Sequence, residues 1–220
     1  MMATKTTRVN SSIVAGLYAV TPDLADTQKL CELVEASLLG GAAIVQYRNK
    51  SANPELREQQ AAALLSLCHK YSVPLIINDF LDLCISLDAD GVHMGADDGD
   101  LAEARERLGS DKLLGVSCYN RYELAEQARA MKADYVAFGA CYASGTKPAA
   151  FKAPLELIVR AHASIGLPVV AIGGITLDNA TQLIQAGADS VAVVGALFSG
   201  KNVTAEHVTQ TAKQFFQLFI

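Results

Sequence analysis

Several apolar runs of this chain end in polar groups suited to phosphate and metal chemistry. One run closes on Gln46-Tyr47-Arg48-Asn49-Lys50, and the next on Asn78-Asp79. Asp97 and Asp98 follow a third, and Ser117 ends a fourth. Ser144, Thr146 and Lys147 lie beyond a fifth. The last two finish in Gly173-Gly174 and Val194-Gly195. Arginine offers a fork that fits phosphate oxygens in pairs, and lysine a compact charge. Two carboxylates, Asp79 and Asp98, suit a hard cation such as Mg²⁺, which takes one or two carboxylates and completes its shell with phosphates and water. The glycines let backbone N–H groups approach a second, smaller phosphate. Cations and acids together fit a metal–diphosphate substrate better than they fit simple hydrolysis.

Each group also has a plainer reading. Asn-Asp after a strand serves as a turn or a helix cap. Arg48 and Lys50 fit solvated loop positions, and Thr146-Lys147-Pro148 an exposed loop. Asp97-Asp98 is compatible with the acidic start of a helix, and Gly173-Gly174 with a tight turn. His93 reads as a packing or hydrogen-bonding residue, because no His or Cys stands at metal spacing from it. Agreement between the separate strand ends favours the functional reading.

The elements that must position these groups are eight β-branched runs, at 12–20, 42–48, 74–78, 91–95, 113–118, 135–140, 168–174 and 190–196. Most are apolar without alternation, as strands covered on both faces are. Helical spacing joins Leu30, Leu33, Val34 and Leu38, and again Ala180, Leu183, Ile184 and Gly187. Asp26, Pro54, Asn120 and Asp178 mark helix starts. An Ala-Asp pair precedes a strand three times, in "SLDADGVHM", "AMKADYVAF" and "QAGADSVAV", a weak repeat of a βα unit. Eight strands and eight helices, the last at about 203–217, predict a single-domain (β/α)₈ TIM barrel with parallel strands. An open doubly wound sheet is the alternative, but "YAVTPDLAD" lacks its Gly-rich first turn. In a barrel the active site lies at the carboxyl ends of the strands. If the second strand runs through Lys50, then Gln46, Arg48 and Lys50 point to one side of it.

Composition narrows the partners. The 220 residues carry a net charge of −5, so no basic footprint for nucleic acid exists. No apolar stretch reaches membrane-spanning length. Five scattered cysteines form no C-x-x-C pair, which points to a reducing compartment, read as the cytoplasm. Residues 1–12 read as a flexible N-terminal arm, and 13–220 as the barrel. A homo-oligomer is compatible with all of this.

With these residues in view, the chain resembles the thiamine-phosphate synthase (thiamine-phosphate pyrophosphorylase) family, small TIM-barrel enzymes. The likeness runs from "GLYAVTP" at 16–22 to "VAVVGALF" at 191–198. It is carried by "QYRNK", "IINDFLDL", "DADGVHMGADD", "GVSCYN", "TKP" and "VAIGGITLDNA", in family order. The resemblance implies condensation of hydroxymethylpyrimidine diphosphate with hydroxyethylthiazole phosphate, giving thiamine phosphate and pyrophosphate with Mg²⁺. It places Gln46, Arg48, Lys50 and Asn78 on the pyrimidine diphosphate and Asp79 and Asp98 on Mg²⁺. Ser117 and Lys147 contact the pyrimidine substrate and its leaving pyrophosphate. Ser144, Thr146, Gly174, Val194 and Gly195 form the thiazole-phosphate site. Of these, Arg48, Lys50, Ser117 and Lys147 carry the catalysis.

The chain departs from the family pattern at Asn49 (Glu), Ala96 (Gln), Gly195 (Ser) and Ser144 (Thr). Gly195 removes a hydroxyl from the thiazole-phosphate cradle but keeps the backbone N–H. A related barrel that tautomerises a thiazole carboxylate phosphate needs the phosphate cradle, but not Arg48, Lys50, Asp79, Asp98 and Lys147. A non-catalytic phosphate sensor is disfavoured because no charged catalytic group is lost. Another phosphate-binding barrel enzyme, such as one of tryptophan biosynthesis, explains Gly173-Gly174 but not "QYRNK" with Asn78-Asp79.

Overall fold

Unbroken apolar strands need cover on both faces, and the chain supplies it by closing them into a ring. The computed structural model describes residues 14–95, 99–143, 152–200 and 203–220. Strands β1 (Gly16–Val20), β2 (Ala42–Tyr47), β3 (Leu75–Asn78) and β4 (Gly91–Gly95) pair in chain order. β5 (Leu113–Ser117), β6 (Tyr135–Phe138), β7 (Val169–Ile172) and β8 (Ser190–Val193) continue the order. All pairs are parallel, and β8 returns to β1. That last pairing makes the sheet a closed (β/α)₈ barrel, as expected, and excludes the open sheet. The predicted arm at 1–12 lies outside the described residues.

One helix follows each of the first seven strands: α1 (Thr27–Leu39), α2 (Pro54–Lys70), α3 (Leu81–Ser86), α4 (Leu101–Leu108), α5 (Tyr122–Ala130), α6 (Leu155–Ser164) and α7 (Leu177–Gln185). Two follow β8, namely α8 (Gly195–Phe198) and α9 (Ala205–Phe216). The short α8 takes residues that read as the end of the eighth strand. Asp26 caps α1 by accepting from the Lys29 N–H, and Asn53 caps α2 just before Pro54. Asn120 is not the cap of α5; Arg121 occupies that position. Asp178 lies in the first turn of α7. Helix α7 stops at Gln185, and Gly187, at φ +100°, turns the chain instead of extending the helical stripe.

Side chains alternate across each strand and so build two cores. Tyr18, Val20, Ile44, Ile76, Tyr135 and Val170 fill the barrel interior. Leu17, Ala19, Val45 and Ile77 face outward onto Leu30, Leu33 and Leu64 of the helices. Burying each such aliphatic side chain stabilises the fold by roughly 1.5–3 kcal/mol. The two layers leave the carboxyl ends of the strands as a rim on which loops can carry polar groups.

Candidate active site

The rim begins where Thr21 leaves β1. Its N–H donates to the Gln46 carbonyl at 3.0 Å, and then its side chain takes over from the backbone. Thr21 Oγ1 accepts from the Arg48 N–H at 2.8 Å and donates to the Arg48 carbonyl at 2.9 Å. A hydroxyl therefore stands in for the next rung of the ladder. Strand β2 ends at Tyr47, not at Lys50, so Arg48 and Lys50 are aimed by a loop and not by strand alternation.

Asp23 holds that loop in place. Its Oδ1 accepts from the Lys50 N–H at 2.9 Å and lies 3.5 Å from Arg48 Nη1. Asn49 turns inward and is buried. Its Nδ2 donates to the Leu24 carbonyl and to Gln60 Oε1, both at 3.0 Å. Gln60 Oε1 also accepts from the Tyr47 hydroxyl at 2.9 Å. The departure at Asn49 is thus a fastener between two loops, away from the charged groups it separates. Thr21, Asp23 and Gln60 carry no local signal in the sequence, since their bonds span 11 to 36 residues of chain.

On β3, Asn78 and Asp79 form a corner. Asn78 Nδ2 donates to Asp79 Oδ2 at 2.7 Å, and the Asp79 N–H donates to the His93 carbonyl at 2.9 Å. Asp79 sits at φ +64°, a left-handed conformation that costs most residues energy and that Asn and Asp tolerate best. Neither residue caps α3, whose N-cap position is Phe80 with no side-chain cap bond. The helix-cap reading of Asn78-Asp79 is therefore wrong. The Arg57 guanidinium lies 3.8 Å from the centre of the Phe80 ring and ties this corner to α2.

Asp79 is exposed at the rim. Among the described residues no three His, Cys, Asp or Glu groups cluster as a self-sufficient metal site. A hard cation held by one or two carboxylates and completed by phosphate oxygens needs no such cluster. A rim carboxylate held by an adjacent amide fits that pattern.

Ser117 ends β5, with its Oγ 2.7 Å from His93 Nε2. Burial pushes the His93 imidazole down to about 4, so the ring is neutral near pH 7. Its role is hydrogen bonding, in keeping with the plainer reading. Cys118, directly behind Ser117, is fully buried, and burial lifts its thiol to about 12. Cys141, after β6, is lifted to about 11 in the same way. Neither thiol is a nucleophile.

The β7 and β8 ends are neighbours through the Ile172–Ala192 pairing. Gly174, at φ +64°, fits against the loop after β6: a Cβ there would meet the Tyr142 and Ala143 carbonyl oxygens at 2.7 Å. Asn179 braces the same turn, donating to the Gly174 carbonyl at 3.0 Å and accepting from the Thr176 N–H at 2.9 Å. Val194 caps α8, and Gly195 is its first residue. First-turn N–H groups have no acceptor within their own helix.

Gln46, Arg48, Lys50, Asn78, Asp79, Ser117, Gly174 and Val194 therefore all stand at carboxyl ends of strands or in the loops leaving them, and Gly195 opens α8 just beyond β8. Asp98, Ser144, Thr146 and Lys147 lie outside the described residues. Two surface hollows, of about 530 and 650 Å³, are lined by residues that precede strands, among them Asp189 before β8 and Pro74, Asp90 and Lys112 before β3 to β5. They open at the opposite end and touch none of the rim groups. Among the described residues no helix is long and apolar enough to cross a membrane.

Comparison with known proteins identifies the family. The family model described as thiamine monophosphate synthase matches residues 17–197. A thiamine-phosphate synthase of Methylobacillus flagellatus is 54% identical over 213 residues, 97% of this chain and 99% of that protein. One of Nitrosomonas eutropha is 48% identical over 206 residues, 94% of this chain and 95% of its own. Among solved structures, a thiamine phosphate pyrophosphorylase from Pyrococcus furiosus superposes with a TM-score of 0.82 at 28% identity, covering 96% of this chain and 98% of that one. The match spans nearly the whole barrel, and the chain belongs to the thiamine monophosphate synthase family.

Proposed function

We propose that this rim joins hydroxymethylpyrimidine diphosphate to hydroxyethylthiazole phosphate, releasing thiamine phosphate and pyrophosphate. Family membership makes the protein a transferase, a thiamine-phosphate synthase. The observation that carries the finer reading is the shared placement of three devices at one end of the barrel. They are the fastened Arg48–Lys50 loop, the Asn78-Asp79 corner and the glycine turn at β7 and β8.

In the reaction, the bond between the pyrimidine methylene and the diphosphate oxygen breaks, and its electron pair leaves on pyrophosphate. The thiazole nitrogen then supplies the pair for the new C–N bond. Arg48 and Lys50 bind the diphosphate and stabilise the negative charge that grows as it departs. Their loop is held before substrate arrives, so little reorganisation is needed at that moment. Asp79 and Asp98 would hold Mg²⁺, which when bound would supply positive charge to favour departure of the diphosphate. Asn78, fixed by its bond to Asp79, stays beside the same substrate, while Gln46 and Ser117 face its ring. Lys147 contacts the leaving pyrophosphate. Ser144, Thr146, Gly174, Val194 and Gly195 seat the thiazole phosphate and hold its nitrogen close enough to trap the carbon before water does. No covalent nucleophile is required, consistent with the inert thiols. The five cysteines are all unpaired, which supports a reducing, cytoplasmic setting.

The test is to mix purified protein with Mg²⁺ and both substrates and to detect thiamine phosphate as fluorescent thiochrome. Product that depends on both substrates and disappears with EDTA is expected. A folded protein that binds thiazole phosphate but makes no product would favour the tautomerase or sensor readings.

A further inference from the structure

Asp79 stands in a turn that its neighbours must hold. The Phe80 N–H donates to the Asn78 carbonyl at 2.9 Å, closing a three-residue turn around Asp79 at φ +64°. Three-residue turns with a positive φ at the centre are rare and strained. Such strain persists only where surrounding contacts over-determine the backbone. The bond from the Asp79 N–H to the His93 carbonyl, at 2.9 Å, fixes the peptide that enters the turn. The residue that leaves the turn needs a hold of its own.

That residue is Phe80. It is 40% exposed, so core packing does not fix its ring, and at the N-cap of α3 it makes no side-chain cap bond. The Arg57 guanidinium covers the ring instead, 3.8 Å from its centre. Arg57 is anchored in turn, since its Nη2 donates to the Ala52 carbonyl at 2.7 Å. The Ala52 N–H donates to Asn49 Oδ1 at 3.1 Å, and the Ser51 N–H to the same atom at 3.2 Å. One link therefore runs from the loop of Arg48 and Lys50 through Ala52, Arg57 and Phe80 to Asp79. Arg57 Nε is buried without a hydrogen-bond partner among the described residues. An unpaired buried donor is unfavourable, so the stacked orientation is kept at the expense of a hydrogen bond.

We propose that Arg57 and Phe80 are positioning residues whose stacked pair keeps the Asp79 turn closed, aiming its carboxylate for a divalent cation before the diphosphate arrives. The inference rests on the reading of Asp79 as a metal ligand. Neither side chain needs to touch metal or substrate, because the pair acts through the backbone of residue 79. Without the stack, Phe80 is free to turn towards solvent, and Asp79 can relax out of the left-handed region with its carboxylate moving as it goes. A cation held by one or two carboxylates is sensitive to that movement. Phosphate oxygens bound by Arg48 and Lys50 are not. The effect of the pair is therefore confined to the metal-dependent part of binding.

The test is calorimetry with inorganic pyrophosphate, in saturating Mg²⁺ and again in EDTA, so that the ratio of the two affinities reports the metal without turnover. Wild-type protein is expected to bind at least about tenfold more tightly with Mg²⁺. Phe80→Leu should narrow that ratio to about threefold or less, with the affinity in EDTA within about twofold of wild type. Phe80→Tyr, which keeps the ring, should restore the wild-type ratio. Arg57→Met should narrow the ratio as Phe80→Leu does, and the double variant should narrow it no further, because both changes break one contact. An unchanged ratio in folded Phe80→Leu, or additive losses in the double variant, would overturn the inference while leaving Asp79 as a metal ligand. A wild-type ratio near one would overturn both. Should Phe80→Leu not fold, Arg57→Met decides: a narrowed ratio supports the inference, and an unchanged one overturns it.

Discussion

The Asp189 carboxylate accepts a hydrogen bond from the Val169 N–H at 2.7 Å, fastening the start of β7 from the loop that leads into β8. The same device recurs twice. Asp90 accepts from the Leu75 N–H at 2.8 Å, and Asp134 from the Leu114 N–H at 2.7 Å. The aspartate before each of β4, β6 and β8 thus holds the beginning of the strand before it. This is the physical content of the threefold Ala-Asp repeat in the sequence.

Replacing Asp189 with Ala leaves the Val169 N–H without its charged acceptor. Stability should fall by about 1–3 kcal/mol. Urea unfolding would show a lower midpoint with an unchanged slope. Because Asp189 lies at the end opposite the rim, turnover by the folded fraction should be preserved. A midpoint equal to wild type would mean that the bond contributes nothing.

His93 gives the fold a pH dependence of known sign. Its folded-state value, about 4, is below the ordinary 6.5 because the ring is buried. The unfolded chain therefore binds more protons between those values, and stability is lost as pH falls from about 6.5 towards 4. Between pH 7 and pH 4.5 the His93 contribution should be about 2–3 kcal/mol. A His93→Asn variant should show a correspondingly shallower loss over that window. An equal loss in both proteins would remove His93 as the cause.

Two glycines of the proposed thiazole-phosphate cradle should respond in opposite ways. Gly174→Ala forces a Cβ to 2.7 Å from two carbonyl oxygens at φ +64°. It should destabilise the protein by at least about 1–2 kcal/mol and raise the KM for thiazole phosphate. At Gly195 a Cβ would meet only Ser199 Oγ, at 3.6 Å. Gly195→Ser should fold as wild type does and lower that KM a few-fold, by about the effect of one added hydrogen bond. Steady-state kinetics and thermal melts separate the two, and the same behaviour in both variants would contradict this account of the cradle.

Thr21→Val keeps the shape of the side chain but removes both of its bonds to Arg48. Arg48 should then be less well placed, with about a tenfold loss in kcat/KM for the pyrimidine diphosphate. The KM for thiazole phosphate should change little. An equal rise in both KM values would point to general loosening of the rim.

The sequence showed the barrel because its strands are covered on both faces, and unbroken runs such as 42–48 and 168–174 record that burial directly. It also showed which polar groups stand at the described strand ends, since charged groups at the ends of such runs stand out. It did not show where β2 stops, because the rung beyond Tyr47 is made by a Thr21 side chain 27 residues from Arg48. Nor did it show α8, whose "GALF" continues the apolar pattern of β8. The Tyr18–Tyr135 contact spans 117 positions, and each tyrosine alone reads as an ordinary core aromatic. Local pattern reveals burial and termination, whereas pairing across the barrel depends on closure.

The central claim is that the Asp79 carboxylate works through a metal at the departing diphosphate. The most direct test is a Mg²⁺ titration of thiamine-phosphate formation by wild type and Asp79→Asn. Asparagine accepts the left-handed backbone at this position, so the variant should fold, as far-UV circular dichroism would confirm. The account predicts a loss of at least about a hundredfold in kcat, with Mg²⁺ saturation moved to higher concentration. Turnover and Mg²⁺ dependence matching wild type would contradict it.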